Sequence, residues 1–533
     1  MLVSIWLVCL VTAVFLYLRQ VYGFFKKQGV KTPTIIPPFG TMTNVLLQRE
    51  HMTEAITKPY KQFHGERFYG MYNILSPIVH VRDIDLIKKI AIKDVEHFLD
   101  HNRFFNEEFD PFFGRNLLSL RGEEWKDMRS ALSPAFTSSK MKMMLPLMVE
   151  VGDQMIIALR KKIKDSKQNY LEIDVKDLTT RYGNDVIASC AFGLKVDSYM
   201  DENNQFYKMG NEASTLSFRQ LLGLFYTICF PKIAALFKWT RFSKPVENFF
   251  KTLVLETMQN RELKQIVRPD MIHLLMEARK GKLSHDEKSS QDANAGFATA
   301  EESFIGLKKV NKVWSDNDLC AQAILFFVAG FETVSSAISF LLYELAINPD
   351  VQEKLYQEIR ENEAKTNGKF DYNSIMNMVY LDKVISEILR LWPPAILLDR
   401  YCTKDYNMGK PNDTATEDFI IREGVALQVP VWAIHHDPEY YPNPYKFDPE
   451  RFSEENKHKI QPFTYMPFGL GPRNCIGSRF ALCEVKVMTY QLLNAFEVSP
   501  SNKTTIPAKL DPPSFNIRIK GGNWARLKPR KVV

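Results

Sequence analysis

FTYMPFGLGPRNCIGSRFALC, Phe463 to Cys483, is the stretch on which the reading of this 533-residue chain turns. Within it Phe468, Gly471, Arg473, Cys475 and Gly477 stand in the frame F-x-x-G-x-R-x-C-x-G. At average residue usage, such a frame would arise by chance in only about two of ten thousand chains this long. Gly469 and Gly471 open backbone angles closed to other residues, and Pro472 stiffens a turn that delivers Cys475 to the start of an amphipathic helix. Free amide N–H groups at such a start favour a thiolate, the form that nucleophilic chemistry and metal ligation require. A phosphate cradle is disfavoured, because the segment lacks both the third glycine of a dinucleotide fingerprint and the lysine of a P-loop. A cysteine hydrolase would need a histidine base that spacing alone does not reveal, and a buried structural thiol is the ordinary fate of a lone cysteine.

The frame resembles the haem-binding loop of the cytochrome P-450 superfamily, and the resemblance runs from the amino-terminal apolar segment almost to the carboxy terminus. It implies that Cys475 is the metal ligand, giving the iron of heme b its axial thiolate. Phe468 would lie against the sulfur and Arg473 would pair with a propionate. A thiolate ligand pushes electron density onto iron and favours O–O cleavage. Ser315 and Asp318 form a capping-box pattern, and the helix they open meets no proline until Pro349. Inside it, Ala329-Gly330-Phe331-Glu332-Thr333 places a glycine where it costs roughly 1 kcal/mol, which implies a close approach to the backbone. Thr333 stands four residues after Ala329, the spacing at which a hydroxyl bonds back to a carbonyl. The pentapeptide resembles the family's oxygen-activation motif, implying Glu332 and Thr333 as its catalytic acid and alcohol.

Further positions follow from the same resemblance. Glu387-x-x-Arg390 and the later Arg451 match elements that form a buried charge network. Trp125 and Arg129 share one helix face, and with Arg400 and Arg473 they are expected to meet the two propionates. Substrate-lining regions fall on Phe104 to Leu120, on residues 217–240, around Phe326 and Ala329, on Ala395 to Leu398 including Ile396 and Leu397, and near Pro513 to Phe515. Their apolar character suits a lipophilic substrate. The stretches RPDMIHLLMEARKG (268–281) and GFATAEE (296–302) look like those of insect microsomal members that handle xenobiotics.

The remaining sequence sets the frame. Residues 1–18 carry no charged side chain and are long enough to span a bilayer as a helix. Arg19, Lys26, Lys27 and Lys31 follow, so the carboxy-terminal bulk is expected on the cytosolic side, at the endoplasmic reticulum. The sequons at Asn412 and Asn502 should then stay unmodified. Residues 19–40, basic and proline-rich, read as a hinge. Residues 41–533 read as a single catalytic haem domain, with 280–312 a surface loop and Leu221 to Phe237 a surface or membrane-dipping segment or, equally, a core helix. The fold class is mainly α with small β-sheets (α+β). Helices are expected over Asp316–Asn348, 350–365, 375–391 and 478–496, and strands near 77–82, 396–402, 419–430 and the carboxy terminus. Seven cysteines without a CxxC pair argue against a disulfide scaffold or structural zinc.

A net charge of +7 is too dilute for a nucleic-acid arm but suits an anionic membrane surface or an acidic protein partner. The resemblance implies NADPH-cytochrome P-450 reductase, with cytochrome b5 as a second donor, for a monooxygenase acting on O2 and a lipophilic molecule. A haem-thiolate isomerase or dehydratase acting on peroxides and a haem-binding sensor are the alternatives. Reductase-dependent product formation separates them.

Overall fold

The computed structural model describes residues 2–102, 107, 110–215, 223, 240–280, 297–298, 314–514 and 516–530. Most of the segment Leu221–Phe237 and of the loop 280–312 lies outside these residues, as do residues 104–106, 108–109 and 515 of the expected substrate-lining stretches. The expected class, mainly helical with small sheets, is what the chain adopts.

The organising element is the helix Asp316–Ile347. Its capping box is complete: Asp318 N–H donates to the Ser315 hydroxyl, and Ser315 N–H donates to the Asp318 carboxylate at 2.9 Å. Arg115 Nε ties the same carboxylate to a distant segment at 2.5 Å. Pro349 follows at once and opens the next helix, Pro349–Thr366. A helix apolar on nearly all faces must be enclosed, and this one runs through the largest core cluster. Helix Val175–Ile187 lies along it, with the Thr179 hydroxyl donating to the Ser335 carbonyl at 2.8 Å. Ser478–Ala495, the helix that follows the Cys475 loop, also packs against it.

Among the described residues, nine strands form three small sheets. The first, in the order β1 (Phe68–Asn73), β2 (Ser76–Val81), β7 (Ala426–Val429), β4 (Leu398–Tyr401), has β2 parallel to β7 and its other pairs antiparallel. The second, β3 (Leu171–Asp174), β9 (Trp524–Pro529) and β8 (Phe496–Pro500), clasps the carboxy terminus; β5 (Tyr406–Asn407) pairs with β6 (Ile420–Ile421). The strand expected over 419–430 is thus two strands in different sheets, separated by a turn in which Gly424 adopts φ +92°. The helix expected over 375–391 is also divided, into Tyr372–Met376 and Val379–Leu391. Glu358 explains the break: its carboxylate accepts the N–H groups of Tyr380 and Leu381 at 2.7 and 2.9 Å, capping the second helix from a neighbouring one.

Helix Leu2–Tyr22 extends one turn past the expected Leu18 and is exposed through its apolar residues. The helix Asp316–Ile347 is as apolar, but two thirds of it is buried, as befits a core helix. The stretch 19–40, expected to be a stiff hinge, packs part of its length into the domain. Phe25 is fully buried and Val30 nearly so, and a Cβ on Gly70 would lie 2.3 Å from the Phe25 ring. Two apolar side chains have more to gain in the core than a linker has in freedom.

Glu344, near the end of the central helix, is buried, and burial pushes its pKa up to about 7 although Trp392 donates its indole N–H to the carboxylate at 2.8 Å. The folded state therefore holds this proton more tightly than an unfolded chain with the ordinary value of 4.5. Its contribution to stability is greatest below that value and declines as pH rises towards about 7. Glu344→Gln should remove this decline, seen as a smaller fall in thermal midpoint between pH 5 and 7.5 than in the parent; parallel curves would count against it.

Candidate active site

Backbone hydrogen bonds shape the segment before Cys475. Gly469 N–H donates to the Met466 carbonyl at 3.1 Å, Asn474 N–H to Gly471 at 3.0 Å and Cys475 N–H to Phe468 at 2.8 Å. Gly471 adopts φ +67°, and a Cβ there would meet the Ala91 carbonyl oxygen at 2.2 Å. The loop bridges two cores: Met466 and Leu470 pack with the sheet, whereas Phe468, Ile476 and Phe480 pack with the helices.

The Cys475 side chain is accessible, although the thiol lies within the protein body. Burial raises its pKa, opposed by a hydrogen bond from Gly477 N–H and by the Arg129 charge. The thiolate-stabilising effect expected of a helix start is therefore outweighed. The helix begins only at Ser478, and the neutral thiol is favoured unless a cation binds the sulfur.

The central helix shows a second accessible surface in the interior. Phe331, Glu332 and Val334 are buried, but Ala329 and Thr333 are accessible and Gly330 is half-buried. In a helix otherwise enclosed, such side chains border an internal cavity. Phe326 is half-buried, edge-on to Phe136 at 5.5 Å. Ala395 is accessible, with Ile396 and Leu397 half-buried. The Thr333 hydroxyl donates to the Ala329 carbonyl at 2.6 Å, as the spacing predicts. The close approach implied by Gly330 comes from Ile187, whose Cδ1 lies 2.5 Å from where a Cβ would be. The glycine makes room for a neighbouring helix.

Glu332 is held apart from the Thr333 hydroxyl. Its carboxylate accepts from Arg518 at 3.1 Å, lies 3.3 Å from Lys176 Nζ and accepts from Ser336 at 3.5 Å. Burial lowers the Lys176 pKa to about 8 despite this carboxylate. The expected acid is thus an ion-paired group, with its partners 156 residues before it and 186 after.

Trp125, Arg129, Arg400 and Arg473 are all buried. The Arg473 guanidinium lies over the Trp125 ring at 4.0 Å. It donates to the carbonyls of Leu99, Leu117 and Leu120 and to Asp100, which leaves one N–H on Nη1 uncommitted among the described residues. Arg400 donates to the carbonyls of Asp399 and Leu470, and Arg129 to Asn474 at its carbonyl and side-chain oxygens. Burial pushes the pKa down to about 10 at Arg129 and about 9 at Arg473, where Arg400 adds repulsion. Asp399 is held low against the effect of burial by His101, Asn102 N–H and Arg400. Arg473 pairs with Asp100, Arg400 acts on Asp399, Arg129 binds Asn474 and Arg121 donates to the His101 carbonyl, so four guanidinium groups and two carboxylates share this region.

These residues fit haem. Two positive charges in excess match two propionates, and the accessible or half-buried Phe326, Ala329, Ala395, Ile396 and Leu397 are apolar. Among the described residues no group of three or more His, Cys, Asp or Glu side chains could hold a metal. A single sulfur suits an iron that would arrive with its other donors.

Beside the loop, Glu387 and Arg390 are fully buried. Arg390 donates to both Glu387 oxygens at 2.7 and 2.9 Å, and Arg451 and Asp448 N–H donate to Glu387 Oε1. The structure brings these three charged residues together; of the four expected at the propionates, Arg473 lies on Trp125, Arg400 is near enough to Arg473 to repel it, and Arg129 binds Asn474, the residue next to Arg473. Asp100, His101, Asp399 and Arg518 are the residues that sequence reasoning missed; only Asp399, next to Arg400, carried any signal.

The chain matches the family model described as Cytochrome P450 over residues 30–525. It is 42% identical to Cytochrome P450 9e2 of Blattella germanica over 96% of this chain and 94% of that protein. It is 41% identical to Probable cytochrome P450 9f2 of Drosophila melanogaster over 95% of each, and 37% identical to Probable cytochrome P450 6a13 of the same species over 96% and 95%. With a thiol facing an interior cavity, a cationic cluster beside it and these relatives along nearly its whole length, the chain belongs to the cytochrome P450 family.

Proposed function

We propose that this protein is a monooxygenase that inserts one atom of dioxygen into lipophilic molecules, xenobiotics or endogenous lipids and hormones, and reduces the other to water. The first helix would anchor it in the endoplasmic reticulum membrane, with residues 41–533 a single haem domain on the cytosolic side. NADPH-cytochrome P-450 reductase would supply electrons, assisted by cytochrome b5, since the sequence carries no flavin or nicotinamide fingerprint. The single observation that carries the reading is the accessible Cys475 thiol inside the protein, beside a cluster with two positive charges in excess.

Haem, when bound, supplies activation of dioxygen, which a thiolate ligand promotes. Cys475 would hold its iron through the sulfur. Trp125, Arg129, Arg400 and the remaining Arg473 N–H would hold its carboxylates, and the Phe468 ring would keep water from the sulfur. Phe326, Ala329, Ile396 and Leu397 would exclude water and hold the substrate by apolar contact. The Thr333 hydroxyl spends its proton on Ala329, so towards the cavity it offers lone pairs, which hold a proton-donating water. Glu332 can pass a proton only by exchanging partners, and the 37%-exposed Arg518 side chain gives that exchange a path to solvent. Glu387, Arg390 and Arg451 lock the segment that precedes the cysteine loop.

Product formation should require both NADPH and reductase when purified protein is reconstituted with them. Turnover of a peroxide without reductase would favour the isomerase reading instead. Thr333→Ala should keep the haem spectrum but lower product formed per NADPH by roughly tenfold or more, the remainder appearing as hydrogen peroxide. Unchanged coupling would exclude the role given to Thr333.

A further inference from the structure

His435, the last residue of the short helix Val431–His435, is fully buried and belongs to none of the motifs above. Its Nε2 lies 3.1 Å from Met466 N, and its Nδ1 lies 3.2 Å from the Arg390 carbonyl oxygen. Because a backbone N–H can only donate, Nε2 must be the bare nitrogen, and the ring proton sits on Nδ1 and donates to Arg390. The His435 carbonyl in turn accepts from Arg390 Nη1 at 2.7 Å. The ring stacks on Tyr465 at 5.7 Å, and the Tyr465 hydroxyl donates to the Ser386 carbonyl. A single neutral imidazole thus joins the helix of the Glu387 network to the start of the cysteine loop. Burial and the Arg390 charge both disfavour its protonation, which would break the Met466 bond.

From Met466 the connection continues to the sulfur. The Met466 carbonyl accepts from Gly469 N–H, closing the turn that carries Phe468, and the Phe468 carbonyl accepts from Cys475 N–H. Three hydrogen bonds therefore separate His435 from the Cys475 backbone. Neighbours of a ligating side chain commonly tune its metal affinity by holding its orientation.

We propose that His435 is a positioning residue for the thiolate ligand: through Met466 and Phe468 it sets the register at which Cys475 meets iron. This rests on the reading that Cys475 ligates haem. The test uses full-length, haem-loaded protein and follows the red-shifted Soret band of the ferrous carbon monoxide complex, its rate of loss and the haem reduction potential. His435→Leu, which removes both ring bonds, should lose the red-shifted form about tenfold faster and shift the potential. His435→Gln, whose amide can accept from Met466 and donate to Arg390, should restore parental behaviour. If the leucine variant does not fold, His435→Asn, too short to reach Met466, takes its place against glutamine. Tyr441→Phe, which loses a buried hydrogen bond to Thr464 without touching Met466, controls for lost stability alone. Variants that melt earlier yet keep the parental band lifetime and potential would overturn the proposal. A parental protein without the red-shifted band would instead overturn the ligand assignment.

Discussion

Cys475→Ala is expected to abolish the red-shifted Soret band of the ferrous carbon monoxide complex and to bring turnover below detection. The fold should survive. The loop is held by backbone bonds from Gly469, Asn474 and Cys475, all of which alanine retains, and the lost sulfur faces a cavity instead of filling the core. Thermal unfolding of haem-free protein should therefore move by no more than about 1 kcal/mol equivalent, since no packed volume is removed. An unchanged band in the alanine variant would remove this cysteine as ligand. A collapse in stability of the haem-free form would mean that the sulfur serves mainly the fold.

The opposite pattern is expected at Glu387. Alanine there strips Arg390 of two bonds, Arg451 of one and Asp448 N–H of its acceptor, in a place without access to water. Leaving buried charge unpaired costs about 3–5 kcal/mol, a large share of the stability of any domain. Glu387→Ala should fail to accumulate as folded protein, measured as the detergent-soluble, monodisperse fraction. Arg390→Lys should fare little better, because an ammonium cannot supply the fork that reaches two carboxylate oxygens and the His435 carbonyl at once. Near-parental yield and melting in either variant would show that the network contributes little to stability.

What could be read in advance was whatever one local stretch of chain dictates. The loop around Cys475 declares itself through glycines, a proline and spacing, and the central helix through its capping box and unbroken apolar run. Positions set by approach across the chain were not legible. Gly330 announced a close neighbour, but nothing near it named Ile187. Glu332 looked like a free acid because Lys176 and Arg518 are remote in sequence. Two interruptions were equally hidden: Glu358 caps a helix from outside its own segment, and Gly424 sends adjacent residues into separate sheets. Asp100, His101 and His435 have no signature, since the partners of their side chains, Arg473, Asp399 and Met466, lie 373, 298 and 31 residues away.

Phe25 has a bearing on how the protein sits in the cell. Only Gly23 and Phe24 separate the end of the first helix from a side chain wedged against the outermost strand of the β1–β4 sheet. With so little slack, a bilayer holding that helix would dictate the tilt of everything attached to it. The molecule would ride the lipid surface at one fixed angle and could not tumble on a tether, so compounds dissolved in the membrane would always meet the same side of it.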